Sequence, residues 1–194
     1  MTRRLAPAHH GFTLIELMVT IAIAVILMLV SIPSFLSFKR NSELTSAANA
    51  LLAGMNTARS EAMKRNLNAL VVPLDGSSWE SGWRVFVDTD RDNSFSDDDI
   101  LVATRGALPS YFSLQGVGVA SGANPYVLFN GSGYAREKAG GLGGVTLNLT
   151  RNDITDASEL LNQTRRIKVA VTGRVRVCKP VKSTDANCTD TKEN

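Results

Sequence analysis

The hydrophobic positions of the chain fall into three successive patterns, each predicting a different kind of element. From Phe12 to Phe38 the chain is almost uninterruptedly apolar, 27 residues with Glu16 as the single ionisable side chain. About 20 apolar residues suffice to span a bilayer as a helix, so this stretch is long enough for that role. Downstream, apolar residues recur at three- and four-residue steps: Leu44, Ala48, Leu51, Leu52, Met55, Ala58 and Ala62. That period predicts an amphipathic helix with one stripe facing a core. Its other face carries Lys39, Arg40, Glu43, Arg59, Glu61 and Lys64. The two patterns join into one long helix from about Thr13 to about Asn66, with Pro33 expected to kink or locally melt it because proline cannot donate its backbone N–H.

After Asn68 the period changes again. Short runs rich in Val, Ile, Leu and aromatics alternate with clusters of Gly, Asn, Asp and Ser, which predicts strands. They fall at Ala69–Pro73, Trp83–Asp88, Ile100–Thr104, Tyr111–Gln115, Tyr126–Phe129, Val145–Leu149, Arg166–Thr172 and Arg174–Cys178. Sequential hairpins imply an antiparallel sheet laid over the amphipathic half of the helix, an α+β fold. The glycine-rich run at 131–144 reads as a mobile loop or hairpin tip. Its glycines lack the strand-to-helix arrangement of a phosphate loop, so no nucleotide site is expected.

Composition narrows the chemistry. The 194 residues, 44% hydrophobic, allow one domain plus an extension, or two very small domains. The only histidines are His9 and His10. If the front of the chain is removed by processing, no imidazole remains for nucleophilic triads or histidine metal sites. Two cysteines are too few for a zinc cage. Nothing calls for a cofactor, and the composition leans away from an enzyme.

The front end poses a sharper question. Residues 1–11, MTRRLAPAHHG, carry Arg3 and Arg4, and Lys39 and Arg40 follow the apolar run. Basic residues on both sides blunt orientation by the positive-inside rule. A secretory signal peptide is one reading, but the apolar stretch is too long and no small-x-small cleavage site follows it. A plain membrane anchor leaves Glu16 unexplained, since a carboxylate at the bilayer centre costs about 2.5–3.5 kcal/mol on insertion scales. The run Gly11-Phe12-Thr13-Leu14-Ile15-Glu16-Leu17 resembles the processing site of type IV pilins and type II secretion pseudopilins. The resemblance implies cleavage by a prepilin peptidase between Gly11 and Phe12 and N-methylation of Phe12. It also implies that Glu16 meets the terminal amine of a neighbouring subunit when the helix leaves the inner membrane for a filament. A lone acid in an apolar helix favours such a positive partner in low dielectric.

The order of helix and strands, with Ser81-Gly82-Trp83-Arg84-Val85-Phe86-Val87-Asp88, an acidic run and Ile100-Leu101, is similar to the GspH, FimT and FimU branch of minor pilins and pseudopilins. The implied organisation is a leader at 1–11 and a transmembrane or filament-core helix half at 12–38. An amphipathic helix half follows at 39–68, then a β-rich domain at 69–194 whose residues 165–194 form a basic tail. The implied setting is the bacterial inner membrane, crossed once, with the soluble part periplasmic and extracellular once assembled.

Three constellations remain. In DTDRDNSFSDDD, Asp88, Asp90, Asp92, Ser94, Ser96 and Asp99 fall on positions 1, 3, 5, 7, 9 and 12 of a calcium loop. Asn93 stands where glycine makes the sharp turn, Asp99 replaces the bidentate glutamate, and strands rather than helices flank the loop. The competing reading is a solvated turn in which Asp and Asn bond to their own backbone. Cys178 and Cys188, in an exported domain, are expected to form a disulfide restraining the tail.

The segment RRIKVAVTGRVRVCKPVK, 165–182, holds Arg165, Arg166, Lys168, Arg174, Arg176, Lys179 and Lys182 and no acid. The whole chain has 21 basic and 18 acidic residues, so the rest of it is net acidic and the positive charge is local. Ile167, Val169, Val171, Val175 and Val177 alternate with Arg166, Lys168, Arg174 and Arg176, which predicts valines toward the core and basic groups toward solvent. Gly173 is a place for the chain to turn or bulge. Arg174 and Arg176 then lie about 6.8 Å apart along a strand, each able to fork onto a phosphate. One reading is an edge strand kept soluble by charge. The other follows from Gly173-Arg174-Val175-Arg176, which is similar to the Gly-Arg-x-Arg motif of FimT-type minor pilins and implies DNA binding for uptake in natural transformation. With no aromatic residue from Arg165 to Asn194, contacts are expected at phosphates, with little sequence preference, micromolar-range affinity and steep salt dependence. The alternative is a FimU- or GspH-like subunit that primes or tips filament assembly without nucleic acid.

Overall fold

The structure, a computed structural model, describes residues 11–192, apart from the side chains of residues 30–34. Residues 1–10 of the expected leader, with Arg3, Arg4, His9 and His10, and the side chain of Pro33 lie outside the described residues. The chain divides into two compact units, one ending at Arg40 and one beginning at Asn41.

Helix α1 runs from Leu14 to Arg65 and includes Pro33, so the local melting expected as an alternative to a kink there does not occur. In the first unit the apolar side chains of its described residues are exposed, among them Ile15, Met18, Ile26 and Leu29, as is Phe12 just before the helix. Among the described residues no helix is long and apolar enough to cross a membrane.

In the second unit α1 buries the expected stripe. Leu44, Ala48, Leu51, Met55, Ala58 and Ala62 are in the core, together with Ala47, while Leu52 is half-buried. The expected single sheet is two. Strands β1 (Asn68–Pro73), β2 (Trp83–Asp88), β3 (Ile100–Arg105), β5 (Val127–Phe129) and β6 (Ala135–Arg136) form one, in the order β3-β2-β1-β5-β6. Strands β4 (Phe112–Val117), β7 (Val145–Arg151), β8 (Arg165–Val169) and β9 (Val175–Cys178) form the other, in the order β4-β7-β8-β9. All pairings are antiparallel. Strand periodicity gave the runs but not their partition, because partition depends on which long-range pairs form. Inner-face residues of both sheets, such as Val71, Val85, Phe129, Leu147, Leu149 and Ile167, share one core with the helix stripe.

Sequence patterning missed a helix and a strand, along with two single-turn 3-10 helices at Trp79–Ser81 and Gly118–Ala120. A short helix, α2 (Ala157–Asn162), is started by Asp156, whose carboxylate accepts from the Glu159 N–H at 2.8 Å. The glycine-rich run contains β6 and a bridge from Arg136 to Leu142, so it is a folded hairpin. The β8–β9 turn is tight: the Gly173 N–H donates to the Ala170 carbonyl at 2.8 Å and the Ala170 N–H to the Arg174 carbonyl at 2.9 Å. Gly173 sits at φ +78°, and a Cβ there would fall 1.8 Å from the Gly133 carbonyl oxygen. Arg59 of α1 donates to that same oxygen at 2.9 Å and to the Thr172 carbonyl at 3.4 Å, docking the turn onto the helix. Arg59 and Glu43, which accepts from the Tyr111 hydroxyl, therefore bind the sheets instead of forming a solvated face.

Candidate assembly and nucleic-acid surfaces

At the front end, Thr13 and Glu16 form a reciprocal cap at the start of α1. The Glu16 carboxylate accepts from the Thr13 N–H and hydroxyl, both at 2.9 Å, and the Glu16 N–H donates to the Thr13 hydroxyl at 3.3 Å. Glu16 therefore has partners within its own chain, which partly satisfies a carboxylate expected to wait for a neighbour. Gly11 and Phe12 precede the helix and are exposed.

The basic segment is rearranged relative to the alternation argument. Ile167 and Val169 face the core as expected. On the other face, Arg166 and Lys168 are not solvated: they retain 7% and 2% of their exposure. Chain from the tail crosses above them. Lys168 Nζ donates to the Thr189 carbonyl at 3.0 Å, to the Thr189 hydroxyl at 2.8 Å and to the Thr191 carbonyl at 3.4 Å. Arg166 donates to the Cys188 carbonyl and lies 3.9 Å from Asp190. On the neighbouring strand, the Thr146 hydroxyl donates to the Thr191 carbonyl at 2.7 Å. Arg166 and Lys168 are thus fasteners for the tail, and the expectation that they face a polyanion is corrected.

Arg165 is drawn elsewhere. It donates to Asn41 and Thr45 of α1 and to the Asn162 and Thr164 carbonyls, and its burial holds the guanidinium pKa below its ordinary value. Arg176 is half-buried and donates to the Asn187 carbonyl at 2.8 Å. Arg174, Lys179 and Lys182 are exposed. Of the seven basic positions, Arg165, Arg166 and Lys168 fasten structure, Arg176 on β9 also binds the tail, and Arg174, Lys179 and Lys182, flanking β9, are exposed.

The expected disulfide is present: Cys178 and Cys188 are bonded, with Cα atoms 5.9 Å apart. It explains the burial of the basic face. Cys178 is directly opposite Arg166 in the β8–β9 register, and Arg176 is opposite Lys168. Directly paired residues project from the same face of a sheet. A disulfide from Cys178 therefore lands Cys188 on the face of Arg166, and the chain leaving Cys188 passes over Lys168. The signal was legible: Cys178 has the same even parity as Arg174 and Arg176. The enclosed ring also has a local brace, Asp185, whose carboxylate accepts from the Val181 and Asn187 N–H groups at 3.1 and 3.0 Å. Those backbone bonds hold its pKa below the usual carboxylate value.

In the acidic loop, Asp88, Asp90 and Asp99 bring one carboxylate oxygen each within 4.8 Å of one another, and Asp92 is not part of that group. Asp88 ends β2 and is fully buried, and burial raises its pKa. The loop folds over the outer face of the first sheet, where Phe95 meets Phe86 edge-on at 5.3 Å and Arg84 stacks on Phe95 at 4.5 Å.

Comparison with known proteins agrees with the fold. The profile described as Type II transport protein GspH matches residues 47–173, and the prokaryotic N-terminal methylation motif matches residues 7–32. No protein with a curated description matches the chain. Among solved structures, the type IV minor pilin FimU of Pseudomonas aeruginosa is similar in two crystal forms. One has 18% identity and a TM-score of 0.52 over 74% of this chain and 93% of that one. The other has 17% identity and a TM-score of 0.50 over 71% and 93%. The minor pseudopilin EpsH from the type 2 secretion system of Vibrio cholerae has 13% identity and a TM-score of 0.49 over 72% of this chain and 99% of that one. With a GspH profile over most of its length and a methylation motif over its front end, the chain belongs to the GspH family of minor pilins and pseudopilins.

Proposed function

We propose that this minor pilin binds extracellular DNA without sequence preference along its β9 edge, for uptake in natural transformation. In this reading a prepilin peptidase cuts after Gly11, Phe12 is methylated, and residues 12–38 cross the inner membrane once. The exposed apolar face of α1 then packs among other pilin or pseudopilin subunits, with Glu16 at the contact. The observation that carries the nucleic-acid reading is the exposure of Arg174, Lys179 and Lys182 beside Arg176, in a stretch without acids. Four phosphate contacts correspond to a slope of about −3.6 for log affinity against log salt. The test is fluorescence anisotropy of a labelled duplex with the full chain in detergent. The double variant Arg174→Gln/Arg176→Gln is expected to lose at least about tenfold in affinity with its melting temperature retained. Unchanged binding by that folded variant refutes the reading.

A second reading, a subunit that primes or tips the filament without nucleic acid, is favoured by the engagement of Arg166 and Lys168 with the tail. That engagement shrinks the solvent-facing basic set, and β9, as the last strand of its sheet, offers an edge suited to pairing with another subunit. A deletion strain separates the two. Loss of transformation with filaments and secretion intact supports DNA capture, whereas loss of filaments or of secretion supports assembly.

A further inference from the structure

We propose that the loop joining β2 to β3 is a calcium site, with the carboxylates of Asp88, Asp90 and Asp99 as its protein ligands. It does not rest on the nucleic-acid reading.

The first support is an orphaned atom. Asp88 is fully buried, and its Oδ1 has no hydrogen-bond partner among the described residues, while Oδ2 accepts from the Asn93 N–H at 3.3 Å. A buried carboxylate oxygen left without a donor is costly and calls for a compensating positive group. Within reach of Asp88 stand two further carboxylates, Asp90 and Asp99, which add like charge instead of relieving it. A divalent cation among the three resolves both problems at once.

The second support is the loop path. Asp88, Asp90 and Asp99 occupy positions 1, 3 and 12 of the calcium-loop spacing. Position 6, where glycine usually makes the sharp turn, is Asn93, and it adopts φ +61°. Asparagine tolerates that left-handed conformation better than most residues, so the departure in sequence leaves the turn intact. The Asn93 amide oxygen accepts from Asn68 of β1 at 3.2 Å, and Phe95 is seated against Phe86. The Asp99 carboxylate accepts from the Thr89 N–H at 2.8 Å and the Ser96 N–H at 2.9 Å, which joins the two ends of the loop. The donors therefore sit on a backbone already held in place.

The donor set selects the ion. All the candidate ligands are hard oxygens, and the loop contributes no histidine or cysteine, which argues against zinc and copper. Several carboxylates spread along a twelve-residue path suit the six to eight oxygen ligands of calcium, completed by water, better than the compact octahedron of magnesium. A bound ion would tie the end of β2 to the start of β3.

The experiment uses the full chain in detergent, stripped with EGTA, with calcium chloride alone as the probe. Titration calorimetry is expected to give one saturable site, with a Kd no weaker than about 10⁻³ M, the upper end for extracellular modules. Calcium raises the melting temperature, and magnesium at the same concentration does not. Asp90→Ala, an exposed change that leaves the ion-free melting temperature unaltered, weakens calcium binding at least about tenfold. Asp88→Asn removes the buried charge. If it folds, it loses the calcium response and melts higher without calcium than the wild type does; if it does not fold, Asp90→Ala carries the test. Absence of saturable calcium heat in the folded wild type overturns the site, as does an undiminished response in Asp90→Ala. An equal response to magnesium overturns the assignment to calcium.

Discussion

Replacing Lys168 with methionine separates the two roles this lysine has been given, fastening the tail or facing a polyanion. The substitution keeps an unbranched stem of similar length in a nearly closed site and removes the ammonium. It deletes the bonds to the Thr189 carbonyl and hydroxyl and to the Thr191 carbonyl. Hydrogen bonds to a charged group contribute about 1.5–3 kcal/mol net. The three share one donor head, and Thr191 is exposed, so its released carbonyl rehydrates. The whole cluster is therefore assigned that single range, about 1.5–3 kcal/mol. For a domain of this size each kcal/mol moves the melting temperature by about 2–4 °C, so Lys168→Met is expected to lower it by about 3–12 °C. Amide hydrogen exchange supplies the second readout, with residues 189–192 losing protection while β7 and β8 keep theirs. DNA affinity, measured well below the melting transition, is expected to stay within about twofold of wild type, because a side chain with 2% exposure presents no charge to a phosphate backbone. A variant with unchanged melting temperature and a loss of DNA affinity as large as that of Arg174→Gln/Arg176→Gln would refute the reasoning. It would mean that the tail does not cover this face in solution.

Two further outcomes are expected. Gly173→Ala puts a methyl group against the Gly133 carbonyl and forces a left-handed conformation that costs about 1–2 kcal/mol, to which overpacking adds about 1–3 kcal/mol; a melting temperature within experimental error of wild type would contradict the turn geometry. Asp185 has a depressed pKa, so the stability it contributes is present above its unfolded pKa and is lost as pH falls through its lower folded value. Exchange at the Val181 and Asn187 amides should accordingly depart from its ordinary pH dependence across the acid range, and Asp185→Asn should abolish that departure.

How much was legible from residues alone can be judged element by element. The stripe from Leu44 to Ala62 and the strand Trp83–Asp88 appear where their periodicities put them, because both patterns are local consequences of backbone geometry. The short helix at Ala157–Asn162 escaped because none of its residues is buried, leaving no amphipathic signal to read. Its Asp156 cap was the one available clue. The strand β6 escaped because two residues are too few for a period. Of the four basic residues in the alternation, Arg174 is exposed as it implied, Arg176 is half-buried, and Arg166 and Lys168 are buried. Alternation assigns a side chain to one of two faces without saying what covers the second one.

The sequence by itself determined the long helix, the positions of eight strands, the methylation motif at the front end and the pairing of the only two cysteines. Each of these follows from local periodicity, a contiguous motif or a count that leaves a single partner. The tertiary structure decided how the strands divide between two sheets, that Glu43 and Arg59 dock the helix, and which of the seven basic residues are exposed. It also decided that Asp88 is buried beside Asp90 and Asp99. The reason is the same in each case: burial of a polar group depends on chain arriving from far along the sequence, and only the folded arrangement of those segments specifies which donor or acceptor it meets.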